Sequence, residues 1–464
     1  MTDARIRFEG KRLLVLGFGS IAASILPLLQ RHIAIEPDRM LIISTDERYA
    51  DIRETQGIRH EVRRLTPGNY REILGALLEP GDLLLNLTGG ISSLDLVRFC
   101  LAQGIHYLDT SNERWEHGAA DDDADDFAQH WCRLIGERDR LPQDATALVS
   151  HGANPGIVSH FAKQAVENMA RARGLLPDLP RSRWNWGLMA RELGIKAIHI
   201  SERDTQEPKV APRRSEFFNT WSVEGMIEES DSNPCFAWGS RERPLRGAEV
   251  REEAVSVVGQ LPGRARDCMV RSWLPSFGEF FGAVIPHEET FSIAELFTHE
   301  AADGDGGDAF GARYQPTVIF AYRPCDAAWE GLHCARRGAR TRHKVMIDEI
   351  ARGVDELGVL LLRRGSKRVY WYGSTLDVDA ARDRVDFANA TSLQVAAGVI
   401  GGLVWLLENP RRGLVSAEHA DHRRVLEIAR PYLGELRGVE GHWHEAPETW
   451  NMRELLVPET HAPN

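Results

Sequence analysis

The sequence predicts an α/β protein: a parallel-sheet domain at the start of the chain, a second α+β domain after it, and a late return to the first. Three observations carry this. Apolar runs without alternation recur early, at Leu13–Leu16, Met40–Ser44, Asp82–Leu87, His106–Asp109 and Ala145–Ser150, separated by turns; strands of a sheet covered on both faces read this way. After about residue 150 the composition shifts. Trp184, Trp186, Trp221, Trp238 and Trp273 crowd together, and short alternating runs such as Ala197–Ser201 and Val270–Trp273 suggest a mixed or antiparallel sheet. Near the end, Asn389–Asn409 is apolar and rich in small residues on nearly all sides, as in a buried helix capped by Thr391 or Ser392 and stopped at Asn409–Pro410. The expected boundaries are 1–150 plus about 388–464 for the first domain and 151–387 for the second, which would bind substrate and dimerise.

The chain has 464 residues, 43% of them hydrophobic and 27% charged, enough for two or three domains with a large core. Its net charge of -12 argues against a nucleic-acid partner, which needs clustered Lys and Arg. Six scattered cysteines without a CxxC fit reduced thiols in a cytoplasm and give no metal signature. The N-terminus is polar and does not have the shape of a signal peptide. The most apolar run, Val395–Leu407, reads as too short and too glycine-rich to span a membrane. The acidic run Ala119–Asp126 reads as a solvated segment, and Ala301–Asp308 as a surface loop without the spacing of a calcium loop.

The first strand runs into Gly17, Gly19 and Ala22, with Ser20 and Ile21 between the last two and an apolar helical pattern beyond. This is G-x-G-x-x-A between strand and helix, the fingerprint of a Rossmann-type dinucleotide domain. Gly17 permits the tight turn, Gly19 the approach of a pyrophosphate, and the helix N-terminus offers free N–H groups to that anion. The plain alternative is a tight turn without a ligand. After the second strand, Asp46 is placed to take ribose hydroxyls and favours NAD, although Ser44, Thr45 and Arg48 could instead suit a 2′-phosphate. Ligands of open α/β sheets sit beyond the carboxyl ends of the strands. Thr88–Ser93, Thr110 and Asp109–Glu113 are therefore candidate contacts, as is Asn154 in the loop His151–Gly156. Capping offers a simpler account of that last loop, with Asn154 as N-cap and Pro155 at the first helical position.

In the second domain, His199–Glu229 gathers Glu202, Asp204, Glu207, Glu224, Glu228 and Glu229 around Trp221. A cationic ligand needs anionic neighbours and gains about 0.5–2 kcal/mol from an aromatic face. The alternative is a solvated acidic loop beside a core tryptophan.

The strings LGFGSIAASILPL (Leu16–Leu28), SHGANPGIVSHF (Ser150–Phe161), LGIKAIHISERDTQ (Leu193–Gln206) and FNTWSVEG (Phe218–Gly225) give the chain a resemblance. With YWYGS (Tyr370–Ser374), NATSLQV (Asn389–Val395) and PYLG (Pro431–Gly434), it resembles the bacterial homospermidine synthases of the saccharopine-dehydrogenase-like group nearly end to end. The resemblance implies a homodimeric enzyme that recycles NAD and transfers an aminobutyl group from putrescine or spermidine to a second putrescine. Carried over by motif, Trp221 would be a cation–π platform and Glu229 the acid beside it. Glu202 and Glu113 would bind or deprotonate the reacting amine. Asn154 would lie beside the nicotinamide, His287 would line the pocket, and Asp355 would be a further neighbour. The chain departs from the family at Gly90, where the family pattern carries an acid. That keeps open an opine- or saccharopine-type dehydrogenase, for which Arg203 or Arg114 would take a substrate carboxylate, a divergent member with another amine, and a non-catalytic NAD-binding protein.

Overall fold

The computed structural model describes residues 5–8, 10–45, 57–116, 126–300, 313–335 and 342–457. Asp46, Arg48, most of the Ala119–Asp126 run and the Ala301–Asp308 loop lie outside them. The chain forms two compact units. The first comprises Met1–Ile157, Val345–Ile350 and Asp377–Gly434; the second comprises Val158–Lys344, Ala351–Leu376 and Glu435–Asn464. These limits differ from the sequence expectation mainly at the C-terminus. Glu435–His442 pairs antiparallel with Arg368–Asp377, from Arg368↔His442 to Ser374↔Leu436, and the final segment thereby belongs to the second unit.

The first unit is built on a seven-stranded sheet in the order Gly413–Ser416, Thr146–Val149, His106–Asp109, Leu83–Asn86, Leu13–Leu16, Met40–Ser44, Arg59–Val62. Every neighbouring pair is parallel. Leu13–Leu16, Leu83–Asn86, His106–Asp109 and Thr146–Val149 are buried along their whole length, as their unbroken apolar runs require. Arg59–Val62 is polar and partly exposed, and it forms an edge whose charges discourage further strand pairing.

Helix Ser20–His32 packs against helix Ala390–Glu408, and Ser24 Oγ lies 3.1 Å from Ser392 Oγ. The later helix is capped by Asn389, not by Thr391 or Ser392. The Asn389 side chain accepts from the Ser392 N–H at 2.7 Å and the Ser392 hydroxyl accepts from the Asn389 N–H at 2.9 Å, a reciprocal capping box. Its span matches the expected Asn389–Asn409 run and extends beyond Val395–Leu407. At 19 residues it is long and apolar enough to cross a membrane, but 89% of that window is buried in the protein, which makes it a core helix. A side chain at Gly401 would approach Val425 Cγ1 to 2.9 Å. His151 Nδ1 lies 3.1 Å from the Gly398 carbonyl oxygen.

The second unit contains a ten-stranded mixed sheet. Its centre is Ile195–Asp204, flanked in parallel by Thr317–Arg323 and antiparallel by Val354–Arg363. Successive side chains of a strand point to opposite faces. One face carries Ala197, Ile319, Ala321, Leu360 and Leu362 into an apolar core with Trp273, Trp371, Trp443 and Trp450. Helix Glu288–Leu296 packs against Thr317–Arg323, with the ring of His287 at its N-terminus meeting Phe320 on the other face.

Candidate active site

The glycine turn of the first unit is shaped for an anion. Gly17 has φ +85°, and its N–H donates to the Ile43 carbonyl at 2.8 Å. A Cβ there would lie 2.8 Å from Thr88 Cβ and 3.0 Å from the Leu87 carbonyl oxygen, so only glycine fits. Gly19 is exposed, and a Cβ on it would meet nothing within 4 Å. It is the N-cap of Ser20–His32 without a side-chain cap, and no acid stands in the first turn. The N–H groups of Ser20, Ile21 and Ala22 open this helix beside a bare glycine backbone, which fits a dinucleotide pyrophosphate.

Two loops at the carboxyl ends of the next strands are tied to one another. The Ser93 hydroxyl donates to the Ser111 carbonyl at 3.1 Å and accepts from the Glu113 N–H at 3.0 Å. The Glu113 carboxylate accepts from the Ser111 hydroxyl at 2.7 Å and from the Gly90 N–H at 3.2 Å. Gly90 has φ +73°, and a Cβ there would come within 3.1 Å of Glu116 Cβ. The backbone at the departure from the family pattern thus favours glycine and turns its N–H toward Glu113. Thr88 and Thr110 are half-buried at the ends of their strands. The Asp109 carboxylate accepts from the Ser150 N–H at 2.6 Å and the Tyr107 hydroxyl at 2.7 Å, binding this loop cluster to the next strand.

Asn154 is not a helix cap. The helix begins at Ile157, the Asn154–Pro155 peptide is cis and Gly156 has φ +123°. The Gly152 N–H donates to the Pro155 carbonyl at 2.7 Å, closing a tight loop that carries Asn154.

In the second unit the pairing of three strands assembles an acidic face. Glu202 lies opposite Tyr322 on one side and Leu357 on the other. Asp204, two residues on, lies opposite Asp355. These side chains therefore share one face of the sheet, and all are buried. Burial pushes the Asp204 carboxyl up to about 6, against hydrogen bonds from Gln206 and the Thr220 hydroxyl.

Trp221 joins this face. Its indole N–H donates to the Tyr322 hydroxyl at 3.1 Å. It stands just before helix Val223–Asp231, which Ser222 caps by accepting from the Gly225 N–H. A Cβ on Gly225 would lie 2.9 Å from Trp221 Cζ3, so the glycine of NTWSVEG leaves room for the indole over the first turn. Glu229 follows Gly225 by four residues and occupies the same helix face. It lies 3.5 Å from His287 Nε2, and the His287 ring meets Phe320 edge-on at 5.1 Å. Phe320 stacks with Tyr322 at 5.4 Å, which completes a continuous line from Trp221 to Glu229.

Of the residues singled out in the sequence, the second unit brings together Glu202, Trp221, Glu229, His287 and Asp355, while Glu113 and Asn154 belong to the first. Glu207 and Glu224 are exposed and pair with Arg352 and His343, and Glu228 is exposed. Arg203 points to the opposite face from Glu202, where its guanidinium stacks on Phe277 at 4.3 Å. Arg114 donates to the Asp126 carbonyl at 3.2 Å. Tyr322 and Phe320 also belong to the site and are revealed only by strand register, while Thr220 and Glu289 join it through side-chain contacts to Asp204 and His287.

A Rossmann-type parallel sheet with a bare glycine cradle, joined in sequence to a mixed-sheet unit, defines a dinucleotide-binding protein of two units. Residues 13–133 match the saccharopine dehydrogenase NADP binding domain, and residues 152–442 match the saccharopine dehydrogenase C-terminal domain. The homospermidine synthase of Blastochloris viridis is 36% identical over 98% of this chain and 100% of its own. That of Mesorhizobium japonicum is 34% identical over 96% of each chain. The crystal structure of the Legionella pneumophila homospermidine synthase in complex with NAD superposes with a TM-score of 0.88 at 33% identity, covering 98% of this chain and 99% of that one. The chain belongs to the homospermidine synthase family, within the saccharopine dehydrogenase group.

Proposed function

We propose that the protein is an NAD-dependent aminobutyl transferase that converts two putrescines into homospermidine and ammonia. The observation that carries this reading is the face where buried Glu202, Tyr322, Phe320 and His287 adjoin half-buried Trp221 and Glu229: carboxylates for an ammonium, aromatic rings for its alkyl chain and charge. NAD, held at Gly17, Gly19 and the start of the following helix, supplies a hydride acceptor and gives the same hydride back, so no cofactor is consumed. Thr88, Thr110 and Asn154 belong to the same cofactor-binding proposal.

An alkylammonium must lose a proton before its carbon can release hydride. Glu202, buried beside Tyr322, is assigned that proton. The resulting imine carbon accepts the amine of the second putrescine; the new C–N bond forms and ammonia leaves with the protons the carboxylates return to it. Glu113, steadied by Ser111 and Gly90, is assigned to the amine as well. Trp221 holds the remote ammonium over its indole, with Glu229 beside it balancing the charge. Spermidine fits the same reading as an alternative aminobutyl donor. A homodimer in the cytoplasm, without nucleic-acid or membrane partners, belongs to the same proposal. The opine-type reading requires a cation for a substrate carboxylate, and Arg203 lies on the other face of the sheet from Glu202.

The test is incubation with putrescine and catalytic NAD. Homospermidine and ammonia should form in equal amounts with no rise in NADH. NADH accumulation without a coupled amine would overturn the transferase reading.

A further inference from the structure

Glu289 has no part in the chemistry described so far, yet its surroundings are unusual. It is the second residue of helix Glu288–Leu296 and only 2% exposed. Its Oε2 lies 2.9 Å from His287 Nδ1, and its Oε1 has no hydrogen-bond partner among the described residues. A buried carboxylate is costly unless a positive charge stands against it. The other ring nitrogen of His287, Nε2, lies 3.5 Å from Glu229. A neutral imidazole has one N–H and one lone pair, and the lone pair would face one of these carboxylates. Only the imidazolium offers an N–H to both. Phe320 holds the ring from a third side, at 5.1 Å.

We propose that Glu289 is a positioning residue of the amine site: it holds His287 as an imidazolium with its Nε2–H toward Glu229, and so fixes the carboxylate that receives the substrate ammonium. The part played by Glu229 rests on the amine reading above; the state of the ring does not. The carboxylates around the ring outnumber its single positive charge, so the cluster stays net negative toward an alkylammonium. Burial works against the charge on His287, but Glu289 first and Glu229 second outweigh it and raise the ring well above the ordinary histidine range. The Glu288 carboxylate also lies within 4.8 Å of the ring nitrogen and of Glu289, adding to the negative side. From the adjacent strand, Phe320 brings no charge. The hydroxyl of Tyr322 is held protonated by burial and by Glu202, Asp204 and Asp355. A metal bound by His287, Glu288 and Glu289 would need a ring lone pair, which the two-sided carboxylate contact does not leave.

The experiment is nitrogen NMR of the NAD-loaded protein with labelled histidine, His287 being assigned from the signal missing in His287→Gln. In the unaltered protein both ring nitrogens should carry protons at about pH 8, above the ordinary range of histidine. In Glu289→Gln the ring should lose its second proton at a pH lower by at least about one unit. The KM for putrescine in that variant should rise about tenfold near pH 8 and recover toward pH 6, with a smaller change in kcat. A neutral His287 ring at pH 8 in the unaltered protein, or an unchanged titration in Glu289→Gln, would overturn the proposal. So would a metal-bound ring. The NMR readout needs no turnover. A protein that makes no homospermidine but shows the expected titrations would defeat the amine reading while upholding Glu289's hold on the ring.

Discussion

The two units place their carboxylates by different means. In the first, Glu113 is set by its own loop: Ser111 is two residues away, and Gly90 and Ser93 come from the preceding βα loop of the same parallel sheet. In the second, Glu202 owes its neighbours to register. Tyr322 and Leu357 stand beside it only because strands far apart in sequence align at that residue. One region is written in short motifs. The other is written in pairing, where a shift of a single residue would turn Glu202 away from Tyr322 and toward the Trp371 core. The cofactor cradle therefore depends on backbone shape, and the amine face on side-chain placement, so the two should fail separately.

The largest expected effect is on chemistry alone. Glu202→Gln should lower turnover by about 10³-fold while NAD binding, measured by calorimetry, stays unchanged. Gly17→Ala should do the converse. With φ +85° and Thr88 Cβ only 2.8 Å from the added methyl, NAD affinity should fall by about a hundredfold, with the fold retained by circular dichroism. Equal loss of NAD in both variants would erase the distinction between the units.

Smaller changes sharpen the amine face. Trp221→Ala should raise the KM for putrescine by about tenfold or more, and Trp221→Phe by only a few-fold, because a smaller ring still offers an aromatic face. Tyr322→Phe removes the acceptor of the Trp221 N–H and should cost roughly 1 kcal/mol, a few-fold rise in KM with little change in kcat. An unchanged KM in Tyr322→Phe would mean that the indole is held by Gly225 and its helix alone.

The smallest effect is on stability toward acid. Each unit contains a buried neutral histidine: burial lowers His151 in the first to about 4 and His199 in the second to about 3. Between the ordinary histidine range and these values the unfolded chain binds protons that the folded chain does not. The contribution of these two rings is therefore complete near neutrality and declines as pH falls from about 6.5 toward 4. In the second unit Asp204, raised to about 6, takes up a proton on folding and offsets part of that loss. The thermal midpoint should therefore drop more clearly in the first unit, and an acid-insensitive midpoint there would contradict its buried neutral ring.

Much of the fold was legible because its causes are local. Unbroken apolar runs gave the parallel strands, and Gly17 and Gly19 gave the cradle. NTWSVEG marked Trp221, and the structure adds the reason for its glycine, the space beneath the indole. Other features depended on contacts that no window of sequence contains. The polar edge strand Arg59–Val62 has no apolar pattern to reveal it. Asn389 competes with Thr391 and Ser392 as a cap, and only the reciprocal bond with Ser392 decides. Asn154 and Pro155 looked like a helix start, but the loop closes on Gly152 first. Glu435–His442 follows the first unit in sequence and joins the second by pairing with Arg368–Asp377. Tyr322 and Phe320 sit in an ordinary apolar strand, and Glu289 in an ordinary first helical turn, where an acid is favoured in any case.

The central claim is that one amine carbon loses a hydride and the product regains it at the same site. Putrescine deuterated at both terminal carbons, supplied with unlabelled NADH in solution, tests this directly by mass spectrometry of the homospermidine formed. The account predicts a product that keeps every deuterium of both putrescines. A product one deuterium short, with the missing label found in the free cofactor, would contradict it.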